Sequence, residues 1–303
     1  MQGLTELLFR KTYEQCFGGA IDAAVSPFLS LTHGNLADAW KKIDDVWPER
    51  NKGSIPVVPQ ILGKETEEFV ELANRLYEVG YTEVNWNIGC PMRRVAHKHR
   101  GSGILPYPDE VQQILDNIVP RLKPQLSIKM RLGYNSNTEI DALIPILNRF
   151  PLKSVTIHPR IGKQIYTGTV DMAKLDEVAP QLKHPLIYNG DITTAEECDT
   201  IMRRYPMVKE VMIGRGVLYD PTLPMKIKRQ PIPQHGMQTF VTALMDAIEA
   251  RPVSDLAKWR KTKEYWCLLC HSMEVTEEEK REVLHAPTLS ETRQLIEKIL
   301  EHI

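Results

Sequence analysis

Up to residue 229, short apolar runs rich in β-branched residues recur with stretches of helical periodicity between them. That is the signature of repeated strand-helix units and a parallel sheet. The pattern predicts strands near residues 21–25, 55–60, 83–87, 126–131, 154–158, 186–189 and 210–213. The clearest helix separates the second of these from the third: Phe69, Leu72, Ala73, Leu76 and Tyr77 repeat at helical spacing, and Gly80 supplies a C-terminal stop. Seven parallel strands satisfy either an open doubly wound sheet or most of an eight-stranded barrel, and spacing alone does not separate the two. Two features favour a (β/α)8 TIM barrel. Polar or reactive residues end nearly every strand, and the last two strands run into Asn189-Gly190-Asp191 and Gly214-Arg215-Gly216, where barrels often bind a phosphate. The remaining strand, first of the eight, is expected before Leu4, because the chain opens on what reads as a loop and helix over residues 4–18.

The segment Gln230-Pro231-Ile232-Pro233-Gln234 breaks the pattern and reads as a linker. Beyond it three helical stretches, over residues 240–250, 256–273 and 288–300, predict a small helical bundle. The expected domains are therefore a catalytic barrel over 1–229 and a helical domain over 237–303. The 303 residues are 42% hydrophobic and 25% charged, which excludes disordered, collagenous and coiled-coil classes. No apolar run approaches the ~18 residues of a membrane span, and the N-terminus lacks the basic stretch and apolar run of a secretory signal, so a cytoplasmic protein is expected.

Lysine and arginine total 38 against 39 acidic residues, so there is no global attraction for nucleic acid, and any RNA contact must use local charge. Three clusters offer it: Arg93, Arg94, Lys98 and Arg100; Lys226, Lys228 and Arg229; and Lys258, Arg260, Lys261 and Lys263. A solvated helix face explains each equally well. Five scattered cysteines argue against a disulfide framework.

The chemically richest stretch is NWNIGCPMRRVAHKHRGSGIL, residues 85–105. Asn87 ends a strand, and Gly89, Cys90, Pro91 and the glycines around Ser102 form the following loop. A buried structural thiol is the commoner fate of a free cysteine, but placement in such a loop makes Cys90 the candidate reactive residue. Acyl transfer would need a thiolate paired with a histidine; His97, His99 and His158 are available, though no pattern ties them to it. General acid catalysis needs the opposite, a thiol that keeps its proton near neutral pH. In Ser127-Ile128-Lys129-Met130-Arg131 the two cations alternate on one strand face, where they could hold a phosphate or the electron-rich part of a cofactor ring. His158 and Gln60 each end a strand, and the Gln60 amide suits a uracil-like or flavin-like edge.

These segments occur in an order that resembles the tRNA-dihydrouridine synthases: GCP followed by Val95 and the GSG turn, KMRLG, IHPR with Tyr166, NGDI and MIGRG. The resemblance spans about residues 1–225 and implies an FMN-dependent oxidoreductase with a tRNA-binding helical domain, reduced by NADPH. Carried over position by position, it makes Cys90 the proton donor to uracil C5 while reduced FMN delivers hydride to C6. It places Gln60, Lys129 and His158 around the isoalloxazine, and Asn189, Gly190, Asp191, Gly214 and Arg215 on the ribityl phosphate. Asn87, Arg160 and Tyr166 fall to the substrate. Family members begin with a strand ending in a Pro-Met-x-Gly turn against FMN; here Met1-Gln2-Gly3 falls inside that turn, so Met1 and Gln2 are expected at the cofactor and most of strand one is expected to lie outside this sequence. An N-terminally extended protein is expected to hold flavin better. No metal and no obligate protein partner are expected. Cys267-Leu268-Leu269-Cys270-His271 formally matches a haem-attachment signature but reads better as packing in the bundle, and residues 274–282 read as a solvated acidic helix start. Two rivals remain: a flavin-dependent dehydrogenase of a free metabolite, of the dihydroorotate dehydrogenase type, and a non-catalytic RNA-binding protein.

Overall fold

The computed structural model describes residues 1–31, 39–40 and 43–302. Its strands are β1 (Ala24–Val25), β2 (Leu29–Ser30), β3 (Val57–Val58), β4 (Gln60–Leu62), β5 (Glu83–Ile88), β6 (Gln125–Gly133), β7 (Val155–Ile161), β8 (Leu186–Asn189) and β9 (Glu210–Met212). Every pairing is parallel, and one seven-stranded sheet runs β2-β4-β5-β6-β7-β8-β9. Strands β1 and β3 pair separately, just upstream in the two segments that carry β2 and β4.

The 55–60 run predicted as one strand is thus split. Pro59 has no N–H for the ladder, and across the break the Ser26 hydroxyl accepts from Gln60 N–H at 3.1 Å. Strand β2 escapes the sequence pattern because two residues are too few to show a period. The sheet is open between β9 and β2, and among the described residues no strand fills the eighth position.

Alternation sets which side chains meet the helices and which meet the barrel axis. On β6, Leu126, Ile128, Met130 and Leu132 pack outward in the core, leaving Ser127, Lys129 and Arg131 to face in. On the outside lie α1 (Leu7–Phe17), α2 (Thr66–Glu78), α3 (Arg93–Ala96), α4 (Pro108–Ile118), α5 (Glu139–Leu147), α6 (Met172–Val178) and α7 (Ala195–Arg204). Helix α2 buries Phe69, Leu72, Ala73 and Leu76 as its periodicity predicts, but Tyr77 is exposed. It stops at Gly80, whose φ of +111° lets Tyr81 N–H reach back to Leu76 O at 3.0 Å.

Short helices α8 (Arg215–Tyr219) and α9 (Leu223–Ile227) lead to four tail helices, α10 (Gly236–Glu249), α11 (Asp255–Leu269), α12 (Glu277–His285) and α13 (Leu289–Leu300). The periodicity predicts only three. The fourth, α12, falls where the acidic run 274–282 reads as a helix start; a Thr276/Glu279 capping box opens it, and buried Val283 is too lone an apolar anchor to show a period.

The apolar interior forms two clusters. One lies between the sheet and its helices; the other joins the tail to α1. Phe9 and Phe17 of α1 both pack on Phe240 of α10, with ring centroids 5.5 Å apart, and Tyr265 OH donates to Leu4 O. Helix α1 therefore precedes the barrel strands in sequence but shares its core with the tail. Among the described residues no helix is long and apolar enough to cross a membrane.

Candidate active site

The C-terminal ends of β4 to β9 carry a polar interior. Gln60, Asn85 and Ser127 lie in one register row across β4, β5 and β6, linked by Gln60 Nε2 to Asn85 Oδ1 at 2.8 Å and Asn85 Nδ2 to Ser127 Oγ at 2.9 Å. One level nearer the rim, Asn87 Nδ2 donates to Gln60 Oε1 at 2.7 Å, while its Oδ1 accepts from Gly89 N–H at 3.0 Å and Cys90 N–H at 2.9 Å. Asn87, expected to line the substrate pocket, thus directs its carbonyl oxygen to the backbone of the Cys90 loop.

That loop is held from below as well. Ser102 donates to Cys90 O through both its N–H (2.9 Å) and its hydroxyl (3.0 Å). Gly101 has a φ of +54°, and a Cβ there would strike Cys90 O and Cβ. Cys90 is buried, and burial pushes its thiol up from the ordinary value, against the Met92 N–H and the cations of Arg131, Lys129 and Arg94, which pull it down. The net direction is up, so the sulfur is a protonated thiol at neutral pH.

Lys129 pairs with Asn87 on one side and Thr156 on the other, inside the barrel. It has no acidic partner among the described residues, and burial, followed by repulsion from Arg131, lowers its pKa to about 8. Arg131 donates only to carbonyls: Gly89 O at 3.1 Å, Ile161 O at 2.9 Å and Ile165 O at 2.5 Å. His158 faces in from β7 beside Arg131. Burial, then the combined charge of Lys129, Arg131, Arg160 and Arg215, lowers its pKa to about 2, so the ring is neutral and its Nε2 lies 3.1 Å from Arg160.

Arg160 is expected at the substrate. Its guanidinium is instead fully engaged, with Asp191 at 2.8 and 2.5 Å, His158, Thr167 O at 3.3 Å and Gly168 O at 2.6 Å. Asp191, at φ +43°, also receives Arg215 at 3.0 Å. A carboxylate so placed orients two guanidiniums. A Cβ at Gly214 would project into space whose nearest atom is Met1 Sδ at 3.6 Å. Met1 is half-buried at this corner and Gln2 is exposed. Asn189 donates to Met212 O at 2.7 Å, tying β8 to β9. Tyr166 is exposed, with the guanidiniums of Arg131 and Arg215 at 5.6 and 5.0 Å from its ring centre.

Asn85, Ser127 and Ser102 belong to this network although the sequence pattern does not single them out, and Arg131 stands out there only as a strand neighbour of Lys129. The Asn-x-Asn spacing of 85 and 87 is the available signal: on a strand both must face the same way.

The basic clusters divide, with Arg260 of the third exposed and without an ion pair among the described residues. Lys226, Lys228 and Arg229 are each paired to an aspartate, as are Lys258 to Asp255 and Lys261 to Glu264. Lys263 is spent on Leu284 O and Ala286 O, closing α12. Arg100 is buried against Glu65. Arg93, Arg94 and Lys98 are exposed on the Cys90 loop, with no acidic partner among the described residues. In the tail, Cys267 is exposed, burial pushes the Cys270 thiol up to about 12, and His271 stacks on Tyr219 at 4.2 Å.

Known proteins share this architecture and parts of this sequence. By fold, the chain is similar to histamine dehydrogenase from Rhizobium sp. 4-9 (TM-score 0.56, 10% identity, 99% of this chain and 60% of that one) and to the old yellow enzyme from Trypanosoma cruzi (TM-score 0.51, 11% identity, 82% and 89%). By sequence it is 33% identical over 165 residues to tRNA-dihydrouridine synthase B of Pasteurella multocida, covering 54% of this chain and 49% of that protein. It is 29% identical over 220 residues to the probable tRNA-dihydrouridine synthase of Rhizobium leguminosarum bv. phaseoli, covering 71% and 66%. The chain thus spans about half to two thirds of the length of these relatives. The family model for dihydrouridine synthase (Dus) matches residues 1–302, and with a barrel mouth built around Cys90, Lys129 and His158 the chain belongs to that family.

Proposed function

We propose that this protein is a tRNA-dihydrouridine synthase that reduces the C5–C6 double bond of a uridine, with FMN as its cofactor and NADPH as the reductant. The observation that carries the reading is the combination, at one barrel mouth, of a protonated buried thiol with a cluster of cations that have, among the described residues, a single acid between them. An unpaired ammonium in a protein interior is costly unless a ligand compensates it. Lys129, Arg215 and the Gly190 and Gly214 backbone therefore fit a planar, phosphate-bearing anionic group, with the Gln60–Asn85–Asn87 amides along its edge.

A bound flavin supplies the hydride, which no side chain can. The chain's own residues supply the rest. Cys90 holds the proton that C5 takes as the double bond is saturated, so one hydride at C6 and one proton at C5 complete the addition and leave a thiolate for solvent to reprotonate. Asn87, Ser102 and Gly101 fix the sulfur by holding its backbone on both sides. His158, uncharged, serves as a neutral hydrogen-bonding group beside the cations. Reaching the base requires its extrusion from the folded RNA, at a cost of roughly a few kcal/mol. Among the described members of the three basic clusters, Arg93, Arg94 and Lys98 on the Cys90 loop and Arg260 in the tail have no ion pair and can offset that cost by phosphate contacts.

The test compares dihydrouridine in tRNA, by mass spectrometry, from cells with and without the gene. Loss of the modification at defined positions is expected; unchanged content rejects the reading. Flavin absorbance of the purified protein separates it from a non-catalytic RNA-binding protein.

A further inference from the structure

Residues 164–167 form a tight turn closed by Thr167 N–H to Gln164 O at 2.8 Å. Its second residue, Ile165, has φ +53° and ψ −95°. This is the conformation of the first central position of a type II′ turn, which glycine occupies without cost and a β-branched residue does not. The sequence nonetheless places isoleucine there, and the side chain is 48% exposed. A β-branched side chain half exposed on strained backbone is not what the turn itself calls for, which points to a role outside the turn. The turn is also held in place: Arg131 donates to Ile165 O at 2.5 Å and to Gly89 O at 3.1 Å, so one guanidinium spans this turn and the residue preceding Cys90. The next residue is Tyr166, exposed between Arg131 and Arg215.

We infer that Ile165 is a positioning residue for the RNA: an apolar wedge that packs against the bases left behind when the target uridine is drawn toward Cys90. Aliphatic side chains inserted at an unstacked step are an established way to hold a distorted nucleic acid, and a strained, clamped turn presents one at a fixed distance from the thiol. The inference rests on the proposed tRNA substrate.

The test uses the whole flavin-loaded protein with NADPH, at steady state with RNA in excess of enzyme. Two substrates are compared: folded tRNA, and an unstructured oligoribonucleotide carrying the same target uridine. Ile165→Gly relaxes the turn, so the variant is expected to fold, keep its flavin and melt no lower than the parent. Its kcat/KM is expected to fall at least tenfold on folded tRNA and less than twofold on the oligonucleotide, and Ile165→Leu is expected to restore most of the loss. Equal activity of Ile165→Gly and parent on folded tRNA, or an equal loss on both substrates, overturns the wedge while leaving the proposed activity in place. Absence of dihydrouridine with the parent protein overturns both.

Discussion

The barrel mouth and the helical tail handle charge and backbone in opposite ways. In the tail, cations meet acids: Arg293 alone contacts Asp246, Glu249 and Glu297 at 2.7, 3.2 and 2.7 Å, and Lys261 meets Glu264 at 2.7 Å. Helices α11, α12 and α13 each begin on a Ser or Thr cap. No described residue from 237 to 302 has a positive φ. At the mouth, Lys129, Arg131, Arg160 and Arg215 share only Asp191 as an acid among the described residues, and His99, Ile165 and Asp191 take left-handed or strained conformations in the surrounding loops. The tail pairs most of its charges, although its buried Trp266 Nε1 has no partner, whereas the mouth holds four cations around one acid among the described residues. That difference separates a region optimised for folding from one arranged for a ligand.

Removing the proposed proton donor is the largest way to break the contrast. Cys90→Ala is expected to keep bound flavin and lower turnover on tRNA by about 10²–10⁴-fold; anaerobic single-turnover assays read both. In the parent enzyme, a raised thiol pKa keeps turnover level through neutral pH, with a fall only as pH rises past the ordinary thiol range and the proton is lost.

Lys129→Met should separate binding from stability. Flavin affinity is expected to drop at least tenfold, while the flavin-free protein gains about 1–3 kcal/mol at pH 7, because a buried unpaired ammonium has been removed. Fluorescence titration and denaturant melts check the two halves. In the parent, affinity for the anionic cofactor should weaken as pH rises through about 8, where Lys129 of the free protein loses its charge, and the variant should lose that dependence.

A third comparison sets unpaired cations of the mouth against a paired one elsewhere. Arg94→Ala with Lys98→Ala should reduce the salt dependence of tRNA binding by about one unit of slope for each phosphate no longer neutralised. Lys228→Ala, which removes an exposed pair with Asp22, should leave that slope unchanged and alter stability by less than about 1 kcal/mol.

The last effect, at His158, is confined to acidic pH. Its folded-state pKa lies below the unfolded one, so between the two the unfolded chain binds the extra proton and stability of the flavin-free protein declines as pH falls below about 6.5. His158→Asn should flatten that part of the pH-stability curve.

Much of this organisation is legible in the residues. The alternation in Ser127-Ile128-Lys129-Met130-Arg131 places the cations inside the barrel because a strand has a period of two, and the GCP segment marks the reactive loop. What escapes the sequence depends on partners distant along the chain. Asp191 meets Arg160, 31 residues away, and Arg215, 24 residues away, and no local pattern announces either pair. Arg293 likewise reaches Asp246 and Glu249 on another helix. The turn at Ile165 contains no glycine, asparagine or proline, so no turn chemistry announces it.

The shared core of α1 and the tail also constrains how the chain is made. Phe9 and Tyr13 leave the ribosome well before Phe240, which follows roughly 230 residues later, about 10–50 s at usual synthesis rates. During that interval the greasy flank of the first helix lacks its cover from the tail, with only a few earlier residues such as Ile55 in the same cluster. A newborn chain is therefore open to chaperone capture or wrong pairing at that helix until the tail emerges, and premature termination before α10 would strand it as an aggregation seed.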